Sequence, residues 1–129
     1  MIKKIDLLRR AAADLAQIQP NLDNTSDEVF LDIAAYHLQQ LVEKTLKYYM
    51  AQHNIEFKKT HDFLVLCNQL DECGIEYPSW IYDNAETLTK YAEKTRNGED
   101  LVGNRRKIKE LLILATDFLR ELQQQQHNL

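Results

Sequence analysis

Apolar residues recur along the chain at intervals of three and four, the period of an amphipathic α-helix. Ile5, Leu8, Ala12 and Leu15 form a first stripe. The helix beneath it is predicted to stop near Ile18, because Pro20 disfavours helical geometry in the residue before it. Residues 21–26 read as a polar loop, and Thr25 followed by Glu28 matches a capping box at the start of a long second helix. The inner face of that helix is Phe30, Ala34, His37 and Leu41, widened by Ile33, Leu38, Val42, Leu46 and Tyr49. A helix apolar over so much of its circumference belongs in the middle of a bundle.

The second helix is predicted to fade near Asn54, a residue type that tolerates left-handed backbone geometry. Residues 55–59 lead to Thr60, a candidate N-cap. A third helix carries Phe63, Leu66, Cys67 and Leu70 and closes at Gly74. Pro78 suits the opening of a fourth, whose inner stripe is Ile81, Ala85, Leu88 and Ala92. Beyond a breaker-rich loop at 96–104, the last helix repeats Ile108, Leu111, Ala115, Phe118 and Leu122, broadened by Leu112 and Leu119. The expected fold is all-α: a five-helix up-and-down antiparallel bundle forming a single domain over residues 1–129. The glutamines at 123–126 read as the frayed end of the last helix.

Composition narrows the class without naming an activity. With 3 Gly and 2 Pro in 129 residues, the chain has too few breakers for a many-stranded β fold. Cys67 and Cys73 have neither metal-ligand nor redox spacing, which fits a reducing compartment. Near the start, Lys3, Lys4, Asp6, Arg9, Arg10 and Asp14 interrupt any apolar run, and the longest such run is Leu111 to Ala115. Neither a signal peptide nor a membrane span is expected, and the predicted location is the cytoplasm.

Charge is unevenly placed. From Lys90 to Lys109 seven basic residues face three acids, a local excess of +4 in a chain of net charge −4. Arg105, Arg106 and Lys107 fall in the first turn of the last helix, where the macrodipole opposes cations unless an anion is near. Arg105 and Arg106 are therefore candidates for binding a nucleotide or RNA phosphate; a solvated basic turn balanced by Glu86 or Glu110 is the competing reading. No metalloprotease, nucleophile-elbow or phosphate-loop motif is present, and His37, His53, His61 and His127 are too scattered to share a metal, so no cofactor is expected. His37 is expected to hydrogen-bond in the core or at an interface. Tyr48, Tyr49, Met50, Tyr77, Trp80 and Tyr82 are more aromatic surface than so small a core readily hides, which predicts a homodimer.

Two words in the sequence carry a resemblance. Residues 35–47, Ala-Tyr-His-Leu-Gln-Gln-Leu-Val-Glu-Lys-Thr-Leu-Lys, followed by Lys59-Thr60-His61-Asp62-Phe63, resemble the HEPN domain family at the separation usual there. The segment from Leu88 to Arg96 is similar to the last conserved stretch before the family's final helix. The resemblance implies an antiparallel helical bundle, commonly a homodimer, often paired with a separate minimal nucleotidyltransferase in a toxin–antitoxin type system. There the domain contributes to nucleotide or substrate binding. On this reading His61, Gln40 and Lys44 are ligand-binding candidates, Gln40 and Lys44 lying one turn apart on helix two, while Glu43 and Lys47 make a surface pair. His61 also has a purely structural reading, as a bond to the loop beside Thr60 and Asp62.

Another branch of the family cuts RNA without metal, using an arginine, a polar residue after it, and a histidine separated from the arginine by four to six intervening residues. Arg96 and Asn97 match the first two roles, but the histidine would fall at Leu101, Val102 or Gly103. The general acid–base of that pattern is missing. Arg120 and His127 have the right gap, but the glutamine tail offers nothing to hold the imidazole in place. The expectation is a non-catalytic binding partner, with a metal-independent ribonuclease toxin and a structural adaptor as alternatives.

Overall fold

The computed structural model describes residues 4–97 and 105–127, and the side chains of these except 94–97 and 127. Among the described residues there are six helices and no strand: α1 (Lys4–Asp23), α2 (Val29–Gln52), α3 (Phe63–Glu72), α4 (Ser79–Asp83), α5 (Ala85–Asn97) and α6 (Arg105–His127). The all-α expectation stands, but the count of five is corrected to six. The fourth stripe is intact, with Ile81, Ala85 and Leu88 fully buried and Ala92 nearly so. The helix carrying it breaks at Asn84, which leaves α geometry at φ −112. Its backbone N–H (3.1 Å) and its side-chain amide (2.8 Å) both donate to the Trp80 carbonyl, closing α4 before α5 begins.

The first helix also departs from expectation, running past Ile18 to Asp23 with Pro20 inside it. Proline removes one helical donor, yet Ile18 and Leu22 are buried to 0% and 1% exposure, and the Asn21 amide donates to the Gln17 carbonyl at 2.6 Å. Burying a leucine side chain is worth about 1.5–3 kcal/mol, comparable to the proline penalty. The end of α1 is further held from α6, where the Arg105 guanidinium donates to the Leu22 carbonyl.

Caps differ in detail. Asp27, rather than a Thr25–Glu28 box, opens α2 by accepting from the Val29 N–H at 3.0 Å. Asp62, rather than Thr60, caps α3 by accepting from Leu64 and Val65, while the Thr60 hydroxyl accepts from the Asp62 N–H. The ends of α2 and α3 fall where they were expected. Asn54 (φ 60) follows α2 and Gly74 (φ 68) follows α3, each placing the next residue's N–H on a carbonyl of the finished helix: Ile55 on Met50 and Ile75 on Leu70, both at 3.0 Å.

The directions of the helices follow from their contacts. Arg105 meets Leu22, and the end of α6 lies beside the start of α1, so α6 runs antiparallel to α1. α1 also runs antiparallel to α2, its start at Lys4 over the Tyr48 ring and Asp14 further on at His37, so α2 and α6, which meet at Tyr49 and Phe118, run the same way. The third helix breaks the simple alternation. Residues 55–62 climb back along α2, with Phe57 under the Lys47 ammonium and His61 against Glu43. α3 then descends parallel to α2 until the Glu76 carbonyl accepts from Tyr49 Oη. The return leg that a helix was expected to supply is this irregular segment. One core joins all six helices, with α2 at its centre through Ala34, Ala35, Leu38, Leu41, Leu46 and Met50.

Candidate functional site

Along α2, His37, Gln40, Lys44 and Lys47 follow three- and four-residue spacings and so share one face. α1 crosses closely enough, over Ala11, Ala34 and Ala35 at 0% exposure, to bring Asp14 onto that face. Asp14 is 8% exposed, and its carboxylate takes Lys44 Nζ at 2.6 Å on one oxygen and His37 Nδ1 at 2.9 Å on the other. A short way along the helix, Glu43 is 5% exposed and more fully engaged. Its Oε1 accepts from Gln39 Nε2 at 2.7 Å and His61 Nδ1 at 2.6 Å, and its Oε2 accepts from Lys47 Nζ at 3.1 Å. Gln40 Nε2 donates to Gln39 Oε1 at 2.8 Å and extends the chain of bonds.

The pattern repeats: one buried carboxylate, one lysine, one histidine. A buried charge is tolerated only when paired and hydrogen-bonded, and each acid here has both compensations. The carboxylate facing an ammonium is an acceptor, so His61 donates through Nδ1 and Nε2 is the ring nitrogen turned over to any ligand. Through its side chain His61 keeps 38% exposure, against 24% for His37 and 22% for Lys44. The network therefore reaches the surface as an imidazole edge and an ammonium.

Of the residues singled out from sequence, His61, Gln40 and Lys44 come together on this face, and His37 finds Asp14. Glu43 and Lys47 do pair, but in a buried setting rather than on the surface, with side-chain exposures of 6% and 11%. Arg105 and Arg106 lie elsewhere, at the start of α6: Arg105 on the Leu22 carbonyl, Arg106 beside Glu110 at 3.7 Å on the exposed side. Arg96 and Asn97 fall in the last turn of α5, and their side chains lie outside the described residues, as does that of His127.

Sequence reasoning passed over Asp14, Gln39 and the hub position of Glu43. The available signal was a carboxylate inside an apolar stripe, since Asp14 continues the row Leu7, Ala11, Ile18. The expected aromatic surface is split: two of its six residues are buried, Tyr49, Tyr77 and Trp80 are half-buried against the core, and one is exposed. Tyr48 (3%) and Met50 (0%) are buried, Trp80 packs edge-on against Phe118, and Tyr77 hydrogen-bonds to buried Cys67; Tyr82 stays 53% exposed. Burial raises the pKa of both the Tyr77 hydroxyl and the Cys67 thiol. Among the described residues no group of side chains is arranged to hold a metal ion, and no helix is long and apolar enough to cross a membrane.

A helical bundle with a polar, doubly ion-paired face on its central helix is the class of protein that fold and site define. The HEPN domain family model matches residues 5–125, nearly the whole chain, and the protein belongs to that family. No curated protein and no solved structure matches it.

Proposed function

We propose that this HEPN protein is a non-catalytic, cytoplasmic partner of a separate minimal nucleotidyltransferase, a toxin–antitoxin type pair in which it binds nucleotide or substrate as a homodimer. The observation that carries the reading is the Glu43–His61 pair beside Lys44 and Gln40. It offers one oriented imidazole and one ammonium to an anionic or hydroxyl-bearing ligand, with the neighbouring acids already neutralised. Arg105 and Arg106 at the start of α6 offer a second anionic contact, and Arg96 and Asn97 border the same α5–α6 connection.

Calorimetric titration of the purified protein with ATP and GTP tests the binding claim. Measurable affinity lost in His61→Ala is expected; no heat with either nucleotide would leave a structural adaptor as the better account. Co-expression with the neighbouring genes tests the partner, since a nucleotidyltransferase should co-purify. The same imidazole also favours a second reading, a metal-independent ribonuclease in which His61 replaces the histidine missing after Arg96. RNA left intact in EDTA rules that out, whereas cleavage abolished by Arg96→Ala or His61→Ala would favour it over the non-catalytic reading.

A further inference from the structure

Away from the α2 face, α1 and α6 run antiparallel and leave a groove of about 450 Å³ between the start of one and the end of the other. Its floor is apolar, made by Ile5, Leu8 and Ala12, and its opposing rims carry Arg9 and Arg120 with the amides of Gln123 and Gln124. No carboxylate lines it among the described residues, although the chain as a whole carries −4. Among the described residues Arg9 pairs with Asp6 at 3.3 Å, an exposed ion pair that a stronger carboxylate contact readily displaces. Ile5 is 37% exposed at the floor.

We propose that this groove docks an acidic amphipathic helix of a partner protein. Apolar side chains of such a helix would cover Ile5 and the floor beside it, and its flanking carboxylates would meet Arg9 and Arg120, the helix-in-groove mode of recognition. The apolar floor selects a protein helix over a nucleic acid, because a phosphate backbone gains nothing from Ile5 and Leu8 and two guanidiniums are few for a chain of phosphates. The groove lies apart from the α2 network, so its occupant is independent of any ligand bound there.

The test uses the full chain and two fluorescein-labelled designed peptides of about five helical turns. Both carry leucines at three- and four-residue spacing; one has Glu on its polar face, the other Lys. Fluorescence anisotropy should show binding of the acidic peptide, weakened by added salt, and little binding of the basic one. The double variant Arg9→Glu, Arg120→Glu should lose the acidic peptide by about tenfold or more and gain the basic one, a swap that a misfolded variant could not produce. Equal binding of the two peptides, or unchanged affinity in the double variant, overturns the proposal. So does displacement of the acidic peptide by single-stranded RNA in preference, or a self-association in sedimentation that the double variant abolishes, since the groove would then serve RNA or a second copy.

Discussion

His61 Nδ1 lies 2.6 Å from Glu43 Oε1, tying the segment that follows α2 back onto the middle of that helix. One bond has two effects. It fixes the path of residues 55–62, which climb along α2 before α3 starts, and it orients the imidazole so that Nε2 faces away from the carboxylate.

Replacing Glu43 with Gln keeps the shape but turns one acceptor into an NH₂ group among three donors, from Gln39, His61 and Lys47. The expected loss is about 2–4 kcal/mol of unfolding free energy, from a buried ammonium left uncompensated. Urea denaturation checks it, with Lys90→Ala as control. Lys90 pairs with Glu86 on the exposed face of α5, and its loss should cost roughly 0.5 kcal/mol or less. Equal effects from the two substitutions would contradict the buried network.

Arg105→Met should loosen the end of α1 by removing the donor to the Leu22 carbonyl. A cost of about 1–2 kcal/mol is expected, concentrated locally, so that amides of residues 18–23 exchange faster with deuterium. Arg106→Met, one position on and largely exposed, should leave those amides unchanged.

Gly74→Ala tests the stop of α3. Gly74 sits at φ +68 and an added Cβ would meet nothing within 4 Å, so the cost is conformational rather than steric crowding. About 1 kcal/mol of destabilisation is expected. Asn54→Gly, at φ 60 after α2, should move the other way by a few tenths. Thermal unfolding of both variants checks the opposed signs.

Alkaline pH should weaken the fold through Tyr77. Burial first, and the hydrogen bond with Cys67 second, raise its pKa above the ordinary tyrosine value. The folded state thus holds the proton more tightly than the unfolded one. Its contribution is complete below the unfolded pKa of about 10 and is lost as pH rises toward the folded value. Stability measured from pH 8 upward should fall beyond about pH 10, less steeply in Tyr77→Phe. An identical slope in that variant would assign the alkaline transition to other groups.

Much of the architecture is legible in local pattern. Phe63, Leu66, Cys67 and Leu70, the Ile81–Ala92 stripe and the α6 rhythm are all buried as their spacing predicts, because the faces of a helix repeat with a period the sequence itself displays. Asn54 and Gly74 end their helices for an equally local reason, the backbone geometry each residue tolerates. The site was legible only as a set of residue types: His61, Gln40 and Lys44 were visible as candidates, but their partners were not. Asp14 meets His37 and Lys44 across 23 and 30 positions, and Glu43 meets His61 across 18. Such pairings depend on which helix faces come together, as do the continuation of α1 through Pro20, the break at Asn84 and the direction of α3. The chain's own periodicity determines where apolar surface must be hidden. Only tertiary packing decides which charges are buried along with it, since a buried carboxylate needs partners that other segments bring to it, as α2 brings His37 and Lys44 to Asp14 and residues 55–62 bring His61 to Glu43.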